Sequence, residues 1–92
     1  MPTKRARILY RGTVQGVGFR WTAQSAAHHA GVTGWVKNNP DGTVLVISEG
    51  DEESVRLFMG HVRNEMGNYI RSEDVKWERP TGEFDSFEIR FF

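Results

Sequence analysis

Apolar positions along the chain recur with two different periods, and the change from one to the other divides it into elements. In residues 7–14 (RILYRGTV), Ile8, Tyr10 and Val14 stand at even positions with Gly12 between them, the alternation of a strand with one buried face. From Phe19 the step lengthens. Phe19, Ala23, Ala27 and Ala30 recur every three or four residues and stop at Gly31, which predicts a helix whose small-residue face can lie close on a sheet. Two β-rich runs, 33–39 (TGWVKNN) and 43–49 (TVLVISE), are joined by Pro40, Asp41 and Gly42 and read as a hairpin. Val55, Phe58, Met59, Val62 and Met66 then give the clearest helical spacing in the chain, with Asp51 as a candidate N-cap and Gly67 as the stop. A strand over 69–79, a turn at 80–83 (PTGE) and a last strand with Phe87, Ile89 and Phe91 on one face complete the order.

That order, β-α-β-β-α-β with a short final strand, predicts an α+β fold. Two right-handed crossovers interleaved through one hairpin give a ferredoxin-like sandwich, an antiparallel sheet of four or five strands with both helices on one face. Its core should take Trp35, Phe58, Trp77, Phe87 and Phe91, which follow the buried-face period. Trp21, beside Arg20, stands apart as a candidate to flank a substrate.

Composition narrows the class. The 92 residues are expected to form a single domain over 1–92, since a chain of this length buries only about 60% of its unfolded surface and has material for one core. There is no cysteine, which excludes a disulfide framework, a thiolate metal site and a cysteine nucleophile. No apolar stretch approaches a signal-peptide core or the roughly 20 residues of a membrane span, so a cytoplasmic protein with no membrane partner is expected. Lys plus Arg equals Asp plus Glu at 12 each, so the broad basic field of a nucleic-acid binder is missing. The cluster Lys4, Arg5, Arg7 and Arg11 reads as the charged surface of an edge strand, and residues 49–53 (EGDEE) as acid at a helix start. The RNA-recognition domains share this topology, but the third strand here (TVLVI, 43–47) has no aromatic on which a base could stack.

The most informative stretch is 11–21 (RGTVQGVGFRW), which sets Gly12, Gly16 and Gly18 between a predicted strand and a predicted helix. Such a turn gathers backbone N–H groups next to a helix start, whose first amides have no intrahelical partner, and so attracts anions. Glycine permits positive φ and leaves the amides uncovered. Arg20 at the exit adds a planar fork of donors matched to phosphate. Neither familiar phosphate motif fits, because Trp21 occupies the last glycine position of G-x-G-x-x-G and no GK[ST] occurs. On backbone physics alone, a plain tight connection explains the glycines equally well.

Gly12-Thr13-Val14-Gln15-Gly16-Val17-Gly18-Phe19-Arg20 resembles the G-x-V-Q-G-V-G-F-R signature of the acylphosphatases. Gly34-Trp35-Val36-Lys37-Asn38, followed by Asp41-Gly42, resembles their second signature, and Phe87 to Arg90 their F-x-I-R ending. The resemblance implies hydrolysis of acyl phosphates. It further implies a phosphate held by the Arg20 side chain and the backbone amides of Gln15, Gly16, Val17, Gly18, Phe19 and Arg20, and a water positioned by Asn38. Asn39 stands where the family often has threonine, so two neighbouring asparagines compete for that role and the motif register favours Asn38. Inorganic phosphate is expected as an inhibiting product, and the protein is expected to act as a monomer.

This chemistry asks for few groups. The leaving carboxylate is stable as an anion and needs no proton, and phosphoryl transfer depends mainly on positioning and charge stabilisation. No metal or other cofactor is expected: Arg20 neutralises charge, while His28 and His29 point about 100° apart on one helix and His61 lies on the other. The alternative is a regulatory module of the same fold that binds an anion without turning it over.

Overall fold

The structure, a computed structural model, describes residues 3–91. Its elements are β1 (Thr3–Gly12), α1 (Phe19–Ala30), β2 (Thr33–Asn38), β3 (Val44–Asp51), α2 (Glu52–Met66), β4 (Ile70–Glu78) and β5 (Phe87–Arg90), and the five strands form one sheet in the order β4-β1-β3-β2-β5. The expected ferredoxin-like arrangement is present.

Period-two alternation explains the core. Ala6, Ile8 and Tyr10 of β1, Val36 of β2, and Val44 and Val46 of β3 all face the helices and are buried. Against them pack Phe19, Ala23, Ala26, Ala27 and Ala30 of α1, and Val55, Phe58, Met59, Val62 and Met66 of α2. The alanine face lets α1 sit low on the strands, while the longer side chains of α2 fill the rest. Helix α1 ends as read, with Gly31 left-handed and its amide bonded to the Ala27 carbonyl at 2.8 Å. Gly67 follows α2 for a different reason than a left-handed cap: its φ of −56° is right-handed, and a Cβ there would lie 2.6 Å from the Arg63 carbonyl oxygen.

Three expectations need correction. The sheet is mixed, because β5 pairs parallel with β2 while every other pair is antiparallel. Strand β4 occupies one edge, so the chain crosses to the far edge and returns in the direction opposite to β4, which is the direction of β2. Second, the basic residues of β1 are not on an edge, since β1 lies between β4 and β3. Arg5 sits on the helix-free face in contact with Glu49 (3.3 Å), Glu78 (3.4 Å) and Glu83 (3.3 Å). Glu49 belongs to this cluster rather than to a helix start: it is buried and accepts hydrogen bonds from the amides of Thr81 (2.9 Å) and Gly82 (3.0 Å).

Third, only Phe58 and Phe87 of the five predicted core aromatics are buried. Trp35 alternates with Val36 onto the helix-free face, where Arg90 and Lys37 lie over its ring. Trp77, opposite Ala6 on edge strand β4, is exposed with the Arg56 guanidinium 5.1 Å from its ring. Phe91 lies just beyond β5 and is 75% exposed.

Candidate active site

Between β1 and α1 the backbone reverses hand twice. Gly16 (φ 77°) and Gly18 (φ 80°) are left-handed, and Val17 between them is not, since no residue other than glycine among those described has positive φ. Consecutive residues of opposite hand curve the chain into a nest that gathers N–H groups on one concave side. A Cβ at Gly16 or Gly18 would meet nothing within 4 Å, so it is the φ values, and not crowding, that call for glycine, and the loop surface is open. The first helical bond of α1 runs from the Thr22 amide to the Gly18 carbonyl at 3.0 Å. Among the described residues, none of the amides of Gln15 through Arg20 donates to a backbone carbonyl or a side chain. Helix α1 also has no acidic residue in its first turn and no side-chain cap. Among the described residues, none of its own first turn compensates the positive end.

The loop is braced from the β2–β3 turn. Gln15 Nε2 donates to the carbonyls of Asn39 (2.7 Å) and Thr43 (2.9 Å). Asn39 is committed to that turn: its amide donates to the Thr43 carbonyl at 2.8 Å and its Nδ2 to Thr43 Oγ1 at 2.9 Å. Asp41 accepts from both the Thr43 amide (3.0 Å) and hydroxyl (2.6 Å). Asn38, one residue earlier at the end of β2, keeps Oδ1 buried and without a hydrogen-bond partner. The neighbouring asparagines thus differ in kind, one built into a turn and the other holding a free acceptor.

Asn38 and Arg20 line one cavity of about 350 Å³ together with Gly16, Gly18 and Phe19. Gln15 and Val17 are not in its lining; the Gln15 side chain serves as the brace just described. Arg20 makes no ion pair among the described residues, and its guanidinium carbon lies 5.1 Å from the centre of the Phe91 ring. Val14, Trp21, Ile89 and Phe91 complete the wall. Trp21, read as a candidate to flank a substrate, lines this cavity, whereas Ile89 and Phe91 were read as one face of a strand, Phe91 as core and Ile89 within the F-x-I-R ending. The signal that could have placed them is the crossing of the last strand to the β2 edge, which sets it beside Asn38.

Among the described residues, no carboxylate lines this cavity. The carboxyls whose pKa is displaced, Asp41, Glu52 and Glu83, are held low chiefly by hydrogen bonds from Thr43, Arg56 and Thr81 respectively, all outside it. Burial, with the nearby Glu73 carboxylate, pushes the Tyr10 phenol well above its ordinary range, so it stays protonated in the core. The structure brings His29 and His61 to a ring separation of 6.2 Å, but among the described residues no group of three or more His, Asp or Glu is placed to hold a metal ion. No described helix is long and apolar enough to cross a membrane.

Comparison with known proteins gives a consistent picture. The acylphosphatase family model matches residues 6–89. An acylphosphatase of Thermococcus kodakarensis is 46% identical over 91 residues, covering 97% of this chain and 98% of that one. The crystal structure of acylphosphatase from Bacillus subtilis superposes with a TM-score of 0.86 at 32% identity, over 96% of this chain and 99% of that one. The same fold occurs inside a longer protein: T. kodakarensis HypF matches 95% of this chain with 12% of its own, at a TM-score of 0.81 and 29% identity. With the family model spanning nearly every element and a relative sharing almost half its residues end to end, the chain belongs to the acylphosphatases, a family of hydrolases.

Proposed function

We propose that this chain hydrolyses the carboxyl–phosphate bond of acyl phosphates, releasing a carboxylate and inorganic phosphate, with Arg20 and Asn38 as its catalytic residues. One observation supports the assignment of roles: Gly16, Gly18, Phe19 and Arg20, whose amides are unengaged, the unpaired Arg20 guanidinium and Asn38 with its partnerless Oδ1 line a single cavity. Each is a group whose partner the described residues do not supply.

The phosphoryl oxygens take hydrogen bonds from the loop amides and the Arg20 fork, so negative charge spread over those oxygens in a loose transition state is met by donors already in place. Asn38 Oδ1 accepts a hydrogen bond from a water and holds its lone pair towards phosphorus. Water oxygen forms the new bond to phosphorus as the bond from phosphorus to the carboxyl oxygen breaks. The electron pair leaves on the carboxylate, which requires no proton at neutral pH. The proton of the attacking water passes to a phosphate oxygen, so the chain need supply neither acid nor base, in keeping with a cavity wall in which the described residues place no carboxylate.

The test is incubation of the purified protein with benzoyl phosphate, with and without a chelator, following loss of the acyl phosphate. Turnover insensitive to the chelator and competitively inhibited by inorganic phosphate is expected. Binding of phosphate with no loss of benzoyl phosphate would instead identify a non-catalytic anion-binding module.

A further inference from the structure

Trp21 and Phe91, 74% and 75% exposed, are the two most exposed large hydrophobic side chains among the described residues, and both stand on the same cavity. Exposed aromatic surface gathered at one place marks a binding surface more often than chance. Ile89, partly buried against the core, adds to the same wall. Once the loop amides, Arg20 and Asn38 are assigned to phosphate and water, every remaining side chain of the lining is apolar: Val14, Phe19, Trp21, Ile89 and Phe91. Among the described residues, Arg20 is the only charged one in the lining. The nearby cations Lys37 and Arg90 lie over Trp35 instead, and Trp35 alternates with buried Val36 onto the helix-free face of the sheet.

We propose that Trp21, Ile89 and Phe91 form an acyl-binding wall that selects acyl phosphates with a bulky apolar, above all aromatic, acyl group over short ones and over those carrying a second anion. This rests on the acyl phosphate reading of the site. A planar ring on the carbonyl carbon finds two aromatic faces beside the phosphate cradle, a contact worth roughly a 10- to 100-fold gain over a methyl group. A distal carboxylate or second phosphate finds no second cation in the wall and loses hydration without return.

The test compares kcat/KM for benzoyl phosphate, acetyl phosphate and succinyl phosphate in the native protein, in Trp21→Ala, in Trp21→Phe and in Trp21→Ala/Phe91→Ala, with far-ultraviolet circular dichroism to verify folding. The double variant is expected to lose about 10- to 100-fold on benzoyl phosphate, mainly through KM, and only a few-fold on acetyl phosphate, so that the ratio of the two collapses. Trp21→Phe should restore most of that ratio, and the native protein should favour benzoyl over succinyl phosphate. Equal losses on benzoyl and acetyl phosphate, or an unchanged ratio, would overturn the wall while leaving the hydrolase reading intact. A folded native protein that hydrolyses none of the three would overturn both.

Discussion

The two helices begin in opposite ways. Helix α2 starts after Asp51 with Glu52 and Glu53 in its first turn, and Lys4 reaches Glu52 at 3.2 Å, so its positive end is met by the chain's own carboxylates. Helix α1 starts after left-handed Gly18 with no acid in its first turn and a cationic Arg20 as its second residue. One end carries acids of its own chain; the other has none in its first turn, as the proposed phosphate site requires. A helix start is open to an anion where no acid already occupies it, and a loop and a side chain that add donors strengthen that preference.

Of the groups at the start of α1, Arg20 should matter most. Arg20→Gln keeps a polar, though shorter, side chain but removes the charge and the fork, and should cut kcat/KM for benzoyl phosphate by roughly a thousandfold or more, with loss of competitive inhibition by inorganic phosphate. Near-native turnover would remove the basis of the proposed site. Asn38→Ala should lower kcat by about a hundredfold while phosphate inhibition changes little, because the lost group holds water and not phosphate. Asn39→Ala is the paired control: its side chain is bonded to Thr43, so its effect should appear first in thermal stability. Should Asn39→Ala prove the more damaging to kcat, the two roles are reversed.

The contrast is sharpened by exchanging the chemistry of the two starts. Thr22→Glu places an acid in the first turn of α1 and should raise the inhibition constant of phosphate about two- to fivefold while leaving stability equal or slightly higher, since each such charge is worth about 0.3–1 kcal/mol. Glu52→Gln with Glu53→Gln at α2 should do the reverse, lowering the melting temperature with kcat/KM unchanged. The smallest effect concerns pH. Hydrogen bonds from Thr43 hold the Asp41 carboxyl below its ordinary range, so the stability it contributes is present above the unfolded carboxylate range and is lost as pH falls through its folded value. The Thr43 amide proton should report that titration by NMR, and the upfield-to-downfield step should vanish in Asp41→Asn.

Much of this was legible in the residues. The helical stripe from Phe19 to Ala30 fixed α1, whereas the glycines at 16 and 18 with Arg20 behind them fitted an anion site and a plain tight connection equally well until the motif around them was read. The place of Asn38 came only from its motif, because a strand-end asparagine has no local signature of its own. What was not legible depended on neighbours in space. Alternation says that Trp35 and Val36 face opposite ways, but not which face the helices cover. It cannot tell that β1 lies inside the sheet, so Arg5 was read as edge decoration when it holds a buried carboxylate. Nor can it tell that the last strand joins β2 in parallel, and with that the origin of Ile89 and Phe91 beside the site was hidden.

Strand β5 is four residues long, paired with another strand along one side only, and reached by eight residues without regular structure, which Glu49 ties down at Thr81 and Gly82. Segments of this kind open at little free-energy cost compared with a sheet's interior. The pocket therefore joins two dynamic regimes: the loop proposed to hold phosphate is stapled by Gln15 to the β2–β3 turn, while Ile89 and Phe91 of the proposed acyl wall hang from a margin that can breathe without global unfolding.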